Sequence, residues 1–322
     1  MSDKIPLLID TDPGVDDALA LLMAFNSPRH EVVGLTIVAG NVGLAHTVRN
    51  ALKLCEVAGV GVPVFAGCAQ PLLHRARDAA NVHGDDGFGD LGYDPPSRRA
   101  EIEHAALAIL RLSHQYAGKL LLVALGPLTN LAMALKLDPT LPERVARLVV
   151  MGGAVTGHGN ITAAAEFNIA FDPEAAHIVF ESFAPDDASA NGARDLVELA
   201  DWEAVLAHGF MHADFERWLQ ADSPRARFYA GISRRTRTWA IDRRGDRWHA
   251  ADALAMALAL QPEGALEVQA RPLSIELDGR QTRGATVVDW LRQGGRPDNA
   301  RILMRFDQPR FETLIHQALS AS

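Results

Sequence analysis

Cysteine is almost absent: Cys55 and Cys68 are the only two among 322 residues. That excludes a disulfide-stapled scaffold and reads as two reduced thiols in a folded core. Also missing is any apolar run near the roughly 18 residues that a membrane-spanning helix requires. No basic-then-apolar leader separates Met1 from the first strand-like segment, so a cytoplasmic protein with no membrane partner is expected. A basic surplus is lacking too. Lys and Arg number 31 against 40 Asp and Glu, for a formal net charge of −9. That sign is wrong for a phosphate backbone, so no nucleic-acid partner is expected; it suits a small neutral substrate or a bound cation better. No Gly/Ser or Pro-rich linker and no repeat divides the chain, which is read as one domain over 1–322. What remains is an ordinary globular composition, 48% hydrophobic and 22% charged, with ample length to bury a core.

Hydrophobic patterning gives an α/β fold. Strand-like runs at 6–11, 31–39, 62–66, 119–125 and 147–151 alternate with helical spacing at 16–25, 44–57, 101–115, 129–137 and 173–183. Near-continuous apolar strands separated by amphipathic helices predict a mainly parallel, Rossmann-like central sheet with helices on both faces. Residues 274–277 and 286–288 look like further strands, and 310–319 like a closing helix. The stretch 71–96, rich in Gly, Asp and His, is read as an active-site loop. Residues 202–260 are mostly helical and are placed over the site. One segment breaks the alternation: where another strand is due, residues 184–201 read APDDASANGARDLVELAD, with few strand formers before Leu196.

In open α/β sheets, ligands bind outside the carboxyl ends of the strands. The first strand ends in Asp10-Thr11-Asp12-Pro13-Gly14-Val15-Asp16-Asp17. Carboxylates packed this densely repel one another unless something positive lies among them. The Pro-Gly turn folds Asp12 and Asp17 back towards one point, and an all-oxygen donor set suits a hard cation such as Ca²⁺ or Mg²⁺ better than structural zinc. The alternative is that Asp16 and Asp17 only start a helix while Asp10 and Asp12 sit in a solvated turn. A second acid bears on that choice. Asp252 stands alone among small apolar residues at the start of an apolar helix, where burial without a partner is costly; a metal shared with Asp12 and Asp17 supplies one. Asn41 closes the second strand near Asp12. Asn160, Glu166, Asn168 and Asp172 follow the strand that ends at Gly152-Gly153. Amides and carboxylates at strand ends match a polyhydroxylated sugar, although each alone is also an ordinary turn residue.

At this point the chain resembles the inosine-uridine nucleoside hydrolase family over most of its length. The opening DTDPGVDDALALL carries the resemblance, together with VAGN (38–41), VHGDDGFG (82–89), LGPLTNLA (125–132), VVMGGA (149–154), AEFNIAFDPEAAHIVF (165–180) and DGRQTRGATVVD (278–289). It implies hydrolysis of the N-glycosidic bond of a small-molecule ribonucleoside, with Ca²⁺ as cofactor and assembly as a homodimer or homotetramer. Carried over by position, Asp12 matches a calcium ligand that is also the general base. Asp17, Asp252 and the backbone carbonyl of Leu125 match the other ligands. Asp16, Asn41, Asn160, Glu166 and Asn168 match ribose-binding residues, Asp10 a supporting acid, and His83 a residue close to the base.

Two departures accompany the resemblance. Many relatives have a His immediately before the last calcium Asp, to protonate the departing base; here that residue is Ala251. His249, two residues earlier, is the candidate replacement. Stacking of the base on Trp239 or Trp248 is the alternative, with Phe228 and Tyr229 as further candidates. The irregular segment at 184–201 is the second. Two other functions compete with the hydrolase. Asp10-Thr11-Asp12 after a strand also resembles haloacid-dehalogenase-type phosphatases, but Pro13-Gly14 and Asp16-Asp17 fit that pattern poorly. A non-catalytic nucleoside-binding protein on the same fold is the other.

Overall fold

Three consecutive fully buried aliphatics need cover on both sides of a strand, and Leu7, Leu8 and Ile9 are such a run. In the computed structural model, which describes residues 4–75, 77–185 and 196–321, they lie in the first strand. The first half of the chain runs β1 (Ile5–Thr11), α1 (Val15–Asn26), β2 (His30–Ile37), α2 (Leu44–Val57), β3 (Val64–Ala66), α3 (Ala80–His83), α4 (Ala105–Gln115), β4 (Leu120–Ala124), α5 (Thr129–Leu137) and β5 (Val145–Met151). It continues through α6 (Phe167–Phe171), α7 (Pro173–Ser182), β6 (Val197–Ala200), α8 (Trp202–Ala207), β7 (Phe210–Met211), α9 (His212–Trp218), α10 (Pro224–Arg244), β8 (Arg247–Trp248) and α11 (Ala251–Leu260). Last come β9 (Ala265–Arg271), β10 (Leu273–Ile275), β11 (Thr286–Val288), β12 (Ala300–Phe306) and α12 (Gln308–Ser320).

One α/β domain results, built on an eight-stranded sheet of order β3-β2-β1-β4-β5-β6-β12-β9. All neighbours are parallel except the edge strand β9, which is antiparallel to β12. Side chains alternate across a strand. Leu7, Ile9, Leu121 and Val123 therefore join the apolar cluster containing α1 and α11, while Leu8, Leu120 and Leu122 join the one containing α4, α5 and α7. The chain leaves β1 towards β2 on one side and returns through β4 on the other. Such a reversal of strand order opens a crevice at the carboxyl ends, here between the ends of β1 and β4.

The expected alternation is present, with three corrections. The fourth helix starts at Ala105, not at residue 101, because His104 caps it by accepting the Ala106 N–H at 3.2 Å. A strand does follow α7: β6 is four residues long, all buried, and fills the slot between β5 and β12. Residues 186–195 of the irregular stretch lie outside the described residues. Strands β9 and β12 are not foreseen by the sequence pattern. Glu267, Arg301 and Arg305 interrupt their apolar periodicity, since these are edge and near-edge strands with a solvated side. Cys55 is buried and Cys68 half-buried, both free. Among the described residues no helix is long and apolar enough to cross a membrane.

Candidate active site

After β1 the chain turns through Asp12-Pro13-Gly14 into α1. Asp17 is the third residue of that helix and accepts the Gly14 N–H on Oδ2 at 2.9 Å. The same oxygen takes a bond from Asn41 Nδ2 at 3.0 Å, and Thr11 Oγ1 donates to Oδ1 at 2.5 Å. Helix capping and metal binding are thus not rivals here: the cap fixes the Asp17 carboxylate beside its neighbours. Oxygens of Asp16, Asp17 and Asp252 lie within 4.8 Å of one another, Asp252 arriving from the first turn of α11.

Asp12 stands beside this trio and is held from the backbone. Its Oδ2 accepts the Asn41 N–H at 2.6 Å, while Asn41 Nδ2 reaches the Asp12 carbonyl at 3.1 Å. Glycines close in from both flanking strand ends: a Cβ at Gly40 or Gly126 would fall 2.1 or 2.3 Å from an Asp12 carboxylate oxygen. Only glycine fits at either position. Asp10 lies one layer below, its Oδ1 accepting from Thr36 Oγ1 at 2.6 Å and Asn130 Nδ2 at 2.9 Å.

Burial first, and then mutual repulsion, raises the proton affinity of Asp12, Asp17 and Asp252. Among the described residues no Lys or Arg pairs with those three acids; His83 stands 4.0 Å from Asp16. A hard cation relieves that repulsion with the oxygen donors it prefers. The Leu125 carbonyl, just past β4, accepts from Asn168 Nδ2 at 2.7 Å and so faces the same polar space. The cluster fits a metal ion.

A cavity of about 310 Å³ opens over these acids, the size of a small-ligand site. On its polar wall, Glu166 is almost fully buried and caps α6. It accepts backbone N–H groups from Asn168 at 2.9 Å, Gly153 at 3.0 Å and Ile169 at 3.2 Å. Burial still pushes its carboxyl up to about 7. Asn160 Oδ1 accepts the Phe167 N–H at 2.8 Å, bending its loop back to the cavity. His83, from the loop 71–96, accepts the Val15 N–H on Nδ1 at 3.2 Å.

Trp239 and Arg243 of α10 also line the cavity, with Trp202, Trp248, His249 and Ala251. The cavity therefore gathers Asp16, Asn41, His83, Asn160, Glu166, Asn168, Trp239, His249, Leu125 and Asp252, all flagged by the sequence. Asp10, Asp12 and Asp17 are buried beneath the cavity and are not part of its lining, and three other candidates fall elsewhere. Tyr229 is fully buried, edge-on to Phe215 at 5.9 Å. Phe228 packs on Phe88 and Tyr93, and neither lines the cavity. Asp172 is a cap and tie, bound by Thr129 Oγ1 and by the Leu72 and Ala175 N–H groups. Trp202, Thr236, Arg243, Asn81 and Phe167 escape a reading of the sequence: Phe167 lies inside a quoted motif as an ordinary apolar residue, and the others, on α3, α8 and α10, reach the lining only once those helices are packed.

Similarity to known proteins agrees with this geometry. The family model described as inosine-uridine preferring nucleoside hydrolase matches residues 7–313. Uridine nucleosidase 1 of Arabidopsis thaliana is 48% identical over 178 residues, 55% of this chain and 53% of that protein, so that match spans about half of each. The pyrimidine-specific ribonucleoside hydrolase RihB of Escherichia coli O157:H7 is 32% identical over 98% of this chain and 97% of its own. A solved inosine-guanosine nucleoside hydrolase superposes with a TM-score of 0.90 at 30% identity, covering 99% of both chains. A buried acid cluster that fits a cation, a polar wall suited to a sugar and an aromatic wall suited to a base thus meet in one cavity, and the chain belongs to the inosine-uridine preferring nucleoside hydrolase family: it is a hydrolase of ribonucleosides.

Proposed function

We propose that the enzyme cleaves uridine and related ribonucleosides with Asp12 as general base and calcium as its ion. The observation that carries this is the enclosed Asp12 carboxylate beside the Asp16, Asp17 and Asp252 cluster, of which Asp16 and Asp252 reach the lining of one cavity. Asp12, Asp17, Asp252 and the Leu125 carbonyl are the residues to hold calcium. Calcium held there would supply Lewis acidity to lower the pKa of a neighbouring water and positive charge for the ribose hydroxyls.

The protein's own groups then divide the work. Asp12 takes the proton of the attacking water; Asn41 and the flanking glycines keep its carboxylate in one orientation. Asp16, Asn41, Asn160, Glu166 and Asn168 bind the sugar, His83 lies close to the base, and Glu166 offers carboxylate density to the positive charge that grows on the ring. Trp239 packs on the base. His249 lines the cavity beside Trp248 and delivers a proton to the departing base in place of Ala251. Uridine is put first because the two relatives matched in sequence are named for uridine and pyrimidine ribonucleosides.

The test is ribose release from a nucleoside panel and from p-nitrophenyl riboside, by the wild type and by Asp12→Asn. The wild type is expected to cleave both. Asp12→Asn is expected to lose roughly 100-fold or more in kcat on both while keeping its circular dichroism spectrum. Near-normal kcat in that variant would remove Asp12 from the base role. Binding of nucleoside without cleavage of either substrate would replace the enzyme with a sensor.

A further inference from the structure

Arg243 has no role in the mechanism just given, yet it is the one Lys or Arg side chain among the described residues that lines the cavity. It sits four residues after Trp239 on α10, so the two side chains share a face of the helix. Its guanidinium lies over the Trp239 ring, 5.5 Å from the centroid. Three other arginines of α10 pair with carboxylates, Arg227 with Asp222, Arg235 with Asp90 and Arg237 with Glu216, while Arg225 reaches the Ala58 carbonyl. Arg243 has no such ion pair among the described residues. An aromatic face holds the plane of a guanidinium while leaving its N–H edge available. The cavity lining therefore includes three carboxylates, Asp16, Asp252 and Glu166, and among the described residues one Lys or Arg, Arg243, which sits over an indole.

We propose that Arg243 is a catalytic residue that stabilises the departing base by hydrogen bonds to its developing negative charge. This rests on the ribonucleoside reading of the cavity, with Trp239 against the base. As the C1′–N bond breaks, both bonding electrons leave with the base nitrogen and spread to the ring carbonyl oxygens. The ribose carbon takes the water oxygen, and one water proton passes to Asp12. A guanidinium stays protonated throughout and cannot neutralise the base. Its planar fork instead donates two parallel N–H bonds to the charge-bearing edge, and the base then takes its proton from His249. The fork holds the charge until that proton arrives from His249, since Ala251, the residue immediately before the cluster acid, has nothing to donate.

Uridine and p-nitrophenyl riboside tell this role from mere packing, because p-nitrophenolate leaves without help and uracil does not. The wild type, Arg243→Gln and Arg243→Lys are compared on both. In Arg243→Gln the ratio of kcat/KM for uridine to that for p-nitrophenyl riboside is expected to fall roughly 10- to 100-fold, with the loss mainly in kcat. Arg243→Lys is expected to recover only part of it, since it keeps the charge and loses the fork. A ratio that stays level or rises in Arg243→Gln overturns the proposal, whatever happens to the absolute rates. A wild type that releases ribose from neither substrate overturns the underlying reading instead.

Discussion

Glu166 is tied to the backbone through three N–H groups and still faces the cavity with a carboxylate that burial pushes up to about 7. An acid whose folded pKa exceeds its unfolded value, here 4.5, favours folding while it is protonated. Its contribution is fully present below about pH 4.5 and is lost as the pH climbs through 7. Glutamine stays neutral and has no such loss. Thermal unfolding of the metal-free protein is therefore expected to show Glu166→Gln gaining on the wild type by a few degrees between pH 4.5 and 7.5. Parallel Tm curves over that range would mean that Glu166 is already ionised in the folded protein. Single residues are legible in the sequence in proportion to how locally they act. Asp12, Asp16 and Asp17 stand in one turn, so their crowding is visible without a fold. Arg243 and Trp202 meet the cavity only through packing of distant elements, and nothing near them in sequence marks it.

Whole elements are legible where both sides of a strand are buried, as in β1 and β4, because a short unbroken aliphatic run bounded by turn residues suits a doubly covered strand. Strands β9 and β12 escape because one side is solvated and carries Arg and Glu. Strand β6 is hidden by the composition before Leu196, although its own four residues are fully buried. Between elements, Asp172 is the tie most open to test. It caps α7 through Ala175, receives Thr129 Oγ1 of α5 at 2.7 Å, and takes the Leu72 N–H at 2.9 Å, where the loop 71–96 begins. Asp172→Ala removes a cap and leaves a buried hydroxyl and amide without an acceptor, a loss of about 2 to 4 kcal/mol. Denaturant unfolding measures it. A change under about 1 kcal/mol would show that water replaces the carboxylate, which is the ordinary fate of a surface cap.

At the scale of the molecule, the cavity joins the two ends of the folding unit: Asp12, Asp16 and Asp17 belong to the first strand and helix, whereas Asp252 arrives some 240 residues later on α11. That separation is why the acids can be suspected as partners but not placed together from the sequence. Helix α11 is buried along its whole length against α1, so apolar packing forces the Asp252 carboxylate inward with no Lys or Arg to meet it among the described residues. The metal-free fold therefore carries a standing repulsion at its centre, which an ion both removes and converts into a bridge between chain start and chain end. A ligand that binds only the folded state adds about 2.7 kcal/mol at a concentration 100 times its Kd. Chelation is thus expected to lower Tm by several degrees and to abolish ribose release together, with calcium restoring both. Asp252→Asn supplies the control, because it lightens the repulsion and breaks the bridge at once. Its metal-free Tm should equal or exceed that of the metal-free wild type, and calcium should no longer raise it. If chelator leaves the wild-type Tm unchanged, the acids are held together by shared protons rather than by an ion; if Asp252→Asn keeps the full calcium response, the ion binds without Asp252 and the bridge does not exist.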